Sequence, residues 1–128
     1  MDSIGEDLAR AVAAKDATAL SALLADDVDF KGLTPGRVWE ASDPDGVVDV
    51  FFGHWFEPSD TIEDLVDVTV GDDVADTSRV SYRLDLRNDA GAQVAEQQAY
   101  FRTTDGRISH LRVMCSGFRS RPGEPTSA

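Results

Sequence analysis

From Thr61 onward the apolar residues recur at every second position, and this alternation constrains the chain more than any other feature. Val66, Val68 and Val70 alternate with Asp67 and Thr69, then Val80, Tyr82, Leu84 and Leu86 alternate with Ser81, Arg83, Asp85 and Arg87. A period of two marks half-buried strands. Gly71-Asp72-Asp73, Asn88-Asp89-Ala90-Gly91 and Asp105-Gly106 are turn signals between the runs, and 92–103 and 107–118 complete a meander.

Before Thr61 the period is helical. Ser3-Ile4-Gly5-Glu6 has the capping-box pattern, followed by Ile4, Leu8 and Val12 on one stripe. Asp16 caps a second short helix with the stripe Leu20, Leu23, Leu24. Residues 28–30 read as a brief strand, Thr34-Pro35-Gly36 as a turn, and 37–40 as a second short strand. Asp43-Pro44 starts a third helix that places Val47, Val50, Phe51 and His54 on one face, and Glu57-Pro58 ends it. Each helix has one apolar stripe to bury, so the helices must cover one face of the sheet. The expected fold is α+β: three N-terminal helices packed on a strongly curved antiparallel sheet, enclosing a cone-shaped pocket.

The 128 residues amount to one domain, expected over 1–118, with a disordered Ser/Pro/Gly-rich tail at 119–128. Residues 1–76 carry 19 acids and 4 bases, residues 77–128 carry 5 acids and 8 bases, and the net charge is −12. That balance excludes nucleic acid and anionic membrane surfaces as partners. The acid-rich stretch reads as a solvated surface or as a field attracting cationic ligands. No apolar run approaches the ~20 residues of a membrane span, and the acidic start resembles neither a secretory signal nor a transit peptide. The lone Cys115 excludes a disulfide framework. A cytoplasmic protein is expected. Two histidines without metal-ligand spacing give no metal site, and without a glycine-rich phosphate loop or a Ser-His-Asp set no cofactor is implied.

The stretch 12–30 (Val-Ala-Ala-Lys-Asp-Ala-Thr-Ala-Leu-Ser-Ala-Leu-Leu-Ala-Asp-Asp-Val-Asp-Phe) resembles the opening of nuclear transport factor 2-like domains, and more narrowly their SnoaL-like branch. Tyr100-Phe101-Arg102-Thr103-Thr104-Asp105-Gly106-Arg107-Ile108 resembles that branch's penultimate hairpin. The likeness runs over 4–118. It implies a cystatin-like α+β roll with a cone pocket and frequent homodimerisation through the outer sheet face. It does not imply one activity, because relatives include ketosteroid isomerases, polyketide cyclases, epoxide hydrolases and dehydratases. Ungapped matching puts Leu8, Gly32 and Ala99 where ketosteroid isomerases carry a tyrosine, a base and a strand aspartic acid. No titratable group survives at those positions. The Asp-Arg-Asp set of the superfamily's epoxide hydrolases cannot be placed.

The same registration turns Gln97, Phe101, Leu111, Val113 and Cys115 inward, and His110, Arg112 and Met114 outward toward a dimer partner. Val50, Phe51 and His54 look into the same space, with Trp39 or Trp55 at its rim. His54 is the candidate acid or base, with Glu40 as a conjectured partner, against a reading as a helix-end histidine. Cys115 reads as a buried structural thiol rather than a nucleophile. Gln97 is either a ligand hydrogen-bonder or part of a polar strand run. The aromatic residues read as core before they read as ligand contacts. Three functions are carried forward. The first is binding of a small hydrophobic molecule in the cone, and the second is acid–base catalysis by His54 on such a molecule. The third is a ligand-free dimeric interaction module.

Overall fold

The structure is a computed structural model and describes residues 3–120. Helix α1 (Ile4–Ala13) begins where Ser3 Oγ accepts the Glu6 amide at 3.1 Å. Helix α2 (Ala17–Ala22) begins where Asp16 Oδ1 accepts the Ala19 amide at 3.0 Å. Helix α3 (Pro44–Val48) begins where Asp43 Oδ1 accepts the Gly46 amide at 2.7 Å. Each cap satisfies an amide that the helix itself cannot.

Helix α3 does not continue as an α-helix. Residues Asp49–Trp55 form a π-helical segment, closed by the Phe56 amide donating to the Phe51 carbonyl at 2.7 Å. With hydrogen bonds running from i to i+5, three residues no longer complete a turn. Val47, Val50, Phe51 and Trp55 stay buried while His54 rotates out to solvent, contrary to the shared face expected from α-helical spacing. Downstream, the Lys15 ammonium donates to the carbonyls of Glu57 and Asp60 and ties the following loop to the α1–α2 junction.

The strands are β1 (Leu24–Thr34), β2 (Arg37–Ala41), β3 (Thr61–Val74), β4 (Thr77–Asn88), β5 (Gly91–Thr104), β6 (Arg107–Cys115) and β7 (Arg119–Ser120). Their order is β2-β1-β6-β5-β4-β3, and β7 pairs with β5 where β6 has ended. All neighbours are antiparallel except β1 and β6. The helical crossing from β2 delivers the chain to the far edge, and the meander returns β6 beside β1 in the same direction. Leu24 opens β1 rather than closing the second helix, and β1 is eleven residues long. A register shift between Leu24 and Asp29 breaks its alternation and makes it look short in sequence. The expected tail at 119–128 is paired over Arg119–Ser120, and 121–128 lie outside the described residues.

One apolar core lies between the helices and the concave sheet face. Leu8 and Val12 of α1, Phe30 of β1, Phe51 and Phe56, Leu84 and Leu86 of β4, and Leu111 and Val113 of β6 are all 1% exposed or less. Among the described residues no helix is long and apolar enough to cross a membrane.

Candidate functional site

The concave sheet face is apolar along two of its rows. One runs Phe30, Leu111, Phe101 and the next Gly32, Val113, Ala99, Val80. The following row toward the β2 hairpin is polar. Tyr82 pairs with Gln97, Gln97 with Cys115, and Thr34 stands one residue beyond the Leu33–Met114 pair, opposite Arg37 of β2. Tyr82 is 3% exposed and Gln97 1%, so this row is mostly sealed from water.

Inside it, the Tyr82 hydroxyl donates to Gln97 Oε1 at 2.5 Å. Burial, and secondarily the nearby Cys115 thiol, push the Tyr82 phenol well above its ordinary value, so it stays protonated and a donor. This bond fixes which end of the Gln97 amide is occupied. Gln97 Nε2 is left buried with no acceptor, and so are Trp55 Nε1 and, beside Tyr82 on β4, Arg83 Nε, which alternation turns to the opposite face. Two stranded donors in an apolar interior are uncommon and call for a reason.

Trp55 owes its place to Gly32. A Cβ at position 32 would lie 2.5 Å from Trp55 Cη2 and 2.6 Å from Cζ2, so the indole covers bare backbone. Its ring is 4.8 Å from Phe51 and 6.0 Å from Phe30. Gly32, the position that the resemblance matches to an isomerase base, is thus sealed under an indole, and Leu8 and Ala99 are fully buried apolar residues.

Of the residues expected to line the cone, Val50, Phe51, Trp55, Gln97, Phe101, Leu111, Val113 and Cys115 are buried, at 8% exposure or less. These side chains are therefore closed to water. A surface hollow of about 470 Å³ lies elsewhere, between α1 and α2 beside Arg10, Ala14 and Leu23.

Trp39 and His54 form the rim instead. Trp39 is half-buried, its Nε1 donates to Thr34 Oγ1 at 2.9 Å, and its ring lies 5.1 Å from the imidazole of His54. The His54 side chain is 47% exposed, and its Nε2 stands 3.2 Å from Asp49 Oδ2. The π-helical spacing brings these two residues together, and Gly53 leaves room for it: a Cβ there would lie 2.8 Å from Asp49 Oδ1. Asp49 is therefore the carboxylate beside His54, whereas Glu40 lies against Lys31 at 4.0 Å. Beyond the rim, the Arg37 guanidinium lies over the Trp39 ring at 3.5 Å.

On the convex face Arg112 donates to the Asp29 carbonyl at 2.9 Å and to its carboxylate at 3.3 Å. That contact holds the Asp29 carboxyl below its usual range. His110 is lowered by partial burial and then by Arg112 and Arg102. Val38, Leu33 and Met114, paired in a row across β2, β1 and β6, are all exposed. No cluster of three or more metal-ligating side chains occurs among the described residues.

The Tyr82–Gln97 pair was within reach of sequence reasoning. The Asn88–Gly91 turn sets the β4–β5 register, and counting back along both strands reaches Tyr82 opposite Gln97. Asp49 was not, because nothing local distinguishes a π-turn from an α-turn.

The sequence profile of the SnoaL-like domain matches residues 6–111. No protein of curated function matches the chain significantly by sequence. Among solved structures, the chain is similar to an LEH-like epoxide hydrolase of M. tuberculosis, at 16% identity and a TM-score of 0.65 over 88% of this chain and 80% of that one. It is similar to a polyketide cyclase-like protein of Xanthomonas campestris pv. campestris, at 18% identity and a TM-score of 0.67 over 87% and 86%. A ketosteroid isomerase-like protein of Erwinia carotovora atroseptica matches at 16% identity with a TM-score of 0.60 over 88% and 90%.

Proposed function

The chain belongs to the SnoaL-like domain family, within the nuclear transport factor 2-like superfamily, and from that premise we propose that it binds a small, largely apolar molecule inside the cone. The observation that carries this reading is that two of the three buried donors without acceptors, Gln97 Nε2 and Trp55 Nε1, belong to the concave side. Each stranded donor costs about 1–3 kcal/mol in an apolar interior. A carbonyl, ether or hydroxyl oxygen on an otherwise apolar ligand would recover that cost and be oriented by it. Tyr82 keeps the Gln97 amide turned so that Nε2 is the free end.

The unliganded interior is closed, so entry requires the π-helical segment to shift with Phe51 and Trp55. Short π-segments frequently mark functional sites. Named activities among proteins of this fold, such as epoxide hydrolase and ketosteroid isomerase-like, support a small-molecule site without selecting a reaction.

A thermal-shift screen against steroids, terpenoid epoxides and aromatic polyketides tests the reading. A ligand at a hundred times its dissociation constant stabilises the folded state by about 2.7 kcal/mol. One chemical class should raise the midpoint, and Gln97→Leu should abolish most of that rise. No shift with any class would contradict binding.

The Asp49–His54 contact favours a second reading, acid–base catalysis at the rim. A carboxylate on one imidazole nitrogen orients the ring and leaves the other nitrogen to exchange a proton with substrate. On any substrate found by the screen, His54→Ala should then lower turnover by about two orders of magnitude or more. An unchanged rate in His54→Ala would rule this reading out.

A further inference from the structure

We propose that the molecule bound in the cone carries a carboxylate, and that Arg37 receives it at the mouth; the inference rests on the binding reading above. Six arginines, Arg10, Arg83, Arg87, Arg102, Arg112 and Arg119, each hold a carboxylate. Arg37, like Arg79 and Arg107, holds none among the described residues. Its guanidinium carbon lies 3.5 Å over the centre of the Trp39 ring instead. In a chain with 24 acidic residues, that cation is kept away from the usual partners.

The indole beneath it is a fixed shelf. Trp39 Nε1 is bound to Thr34 Oγ1, its ring meets Trp55 edge-on at 6.5 Å, and His54 packs at 5.1 Å. A guanidinium resting on an aromatic face keeps its N–H groups in its own plane, free to fork onto a planar carboxylate.

Position adds direction. Arg37 pairs with Thr34 and so stands at the open end of the polar row that continues through Cys115 to Gln97 and Tyr82. From β2 to β5 is three strand spacings, roughly 14 Å. A ligand with its carboxylate on Arg37 therefore lays about ten carbons of apolar body along the row before meeting the Gln97 amide. Thr34, Cys115, Gln97 and Tyr82 are uncharged side chains, so the row holds no counter-ion for a cationic head. The net charge of −12 disfavours every additional negative charge, which favours a monoanion over a phosphate.

Trp39 at this mouth and the buried Trp55 that meets it edge-on both report binding by their fluorescence. Titrations with 10-hydroxydecanoate, its methyl ester and 10-hydroxydecyl phosphate, each with a terminal hydroxyl for the Gln97 amide, test the inference. Wild type should bind 10-hydroxydecanoate about ten- to a hundredfold more tightly than the ester. Arg37→Gln should bring the acid down to the ester's level, leaving the ester within about twofold of its wild-type value. Equal affinity for acid and ester in wild type, or a preference that survives Arg37→Gln, would overturn the role of Arg37 while leaving cone binding intact. Tighter binding of 10-hydroxydecyl phosphate than of 10-hydroxydecanoate would overturn the carboxylate assignment. No fluorescence response to any of the three, together with no hit in the thermal-shift screen, would overturn both readings.

Discussion

Replacing both members of the buried polar pair, Tyr82→Phe with Gln97→Leu, should make the protein more stable. Tyr82→Phe alone deletes the 2.5 Å bond and leaves Gln97 Oε1 stranded beside the already stranded Nε2, so it should cost about 1–3 kcal/mol. Gln97→Leu alone removes the stranded amide but strands the Tyr82 hydroxyl, two effects of similar size, and should fall within about 1 kcal/mol of wild type. The double variant strands neither group. Relief of one buried donor then stabilises it by about 1–3 kcal/mol, or a midpoint rise of about 3–10 °C for a domain of this size. The coupling between the two sites should exceed about 1 kcal/mol, as for residues in direct contact. Urea unfolding of the four proteins, followed by circular dichroism, measures all of this. On the proposed binding function the double variant should also lose ligand response. A double variant more than about 1 kcal/mol less stable than wild type, with single effects that simply add, would refute the reasoning. The row would then be structural.

Gly32→Ala should displace Trp55, whose ring atoms lie 2.5–2.6 Å from the added methyl, costing about 1–3 kcal/mol; an unchanged midpoint and tryptophan emission would contradict the packing. His110 has a folded-state pKa lowered from 6.5, so its contribution to stability is full above that pH and is lost as the pH falls through the lowered value. His110→Asn should accordingly flatten the stability loss on acidification below about 6.5, and an unchanged pH profile would count against the burial and Arg112 effects. We also propose a homodimer through the convex face, centred on the exposed Val38–Leu33–Met114 row. Sedimentation should show Met114→Lys halving the particle mass, and a monomeric wild type would contradict the dimer.

The meander was legible because its chemistry is local. Val80, Tyr82, Leu84 and Leu86 obey the period of two and are all 3% exposed or less, and the 88–91 turn sets their register against β5. The β5–β6 register was less open to simple counting. Projected from the Asp105–Gly106 turn, Gln97 falls opposite Met114, but a shift between Arg102 and Thr103 re-phases the pairing onto Cys115. Family likeness supplied the inward set there. His54 shows the limit most plainly. Its spacing from Val47 and Phe51 fits an α-helical face, while the π-helical hydrogen bonding that turns it outward leaves no mark in local sequence. The same turn created the Asp49 contact. The two stranded donors were hidden for a different reason: an orphan is defined by everything packed around it, and only the assembled fold gives that.

The central claim is that Gln97 Nε2 and Trp55 Nε1 wait for an oxygen from a bound apolar molecule. Proton–nitrogen correlation spectra observe both groups directly, since the chain has two indole resonances, separable by Trp39→Phe. On titration with a ligand found by the thermal-shift screen, the Trp55 indole and the Gln97 side-chain amide should both move downfield as they gain an acceptor. Binding that leaves both resonances in place would contradict the account, since the ligand would then sit elsewhere on the molecule.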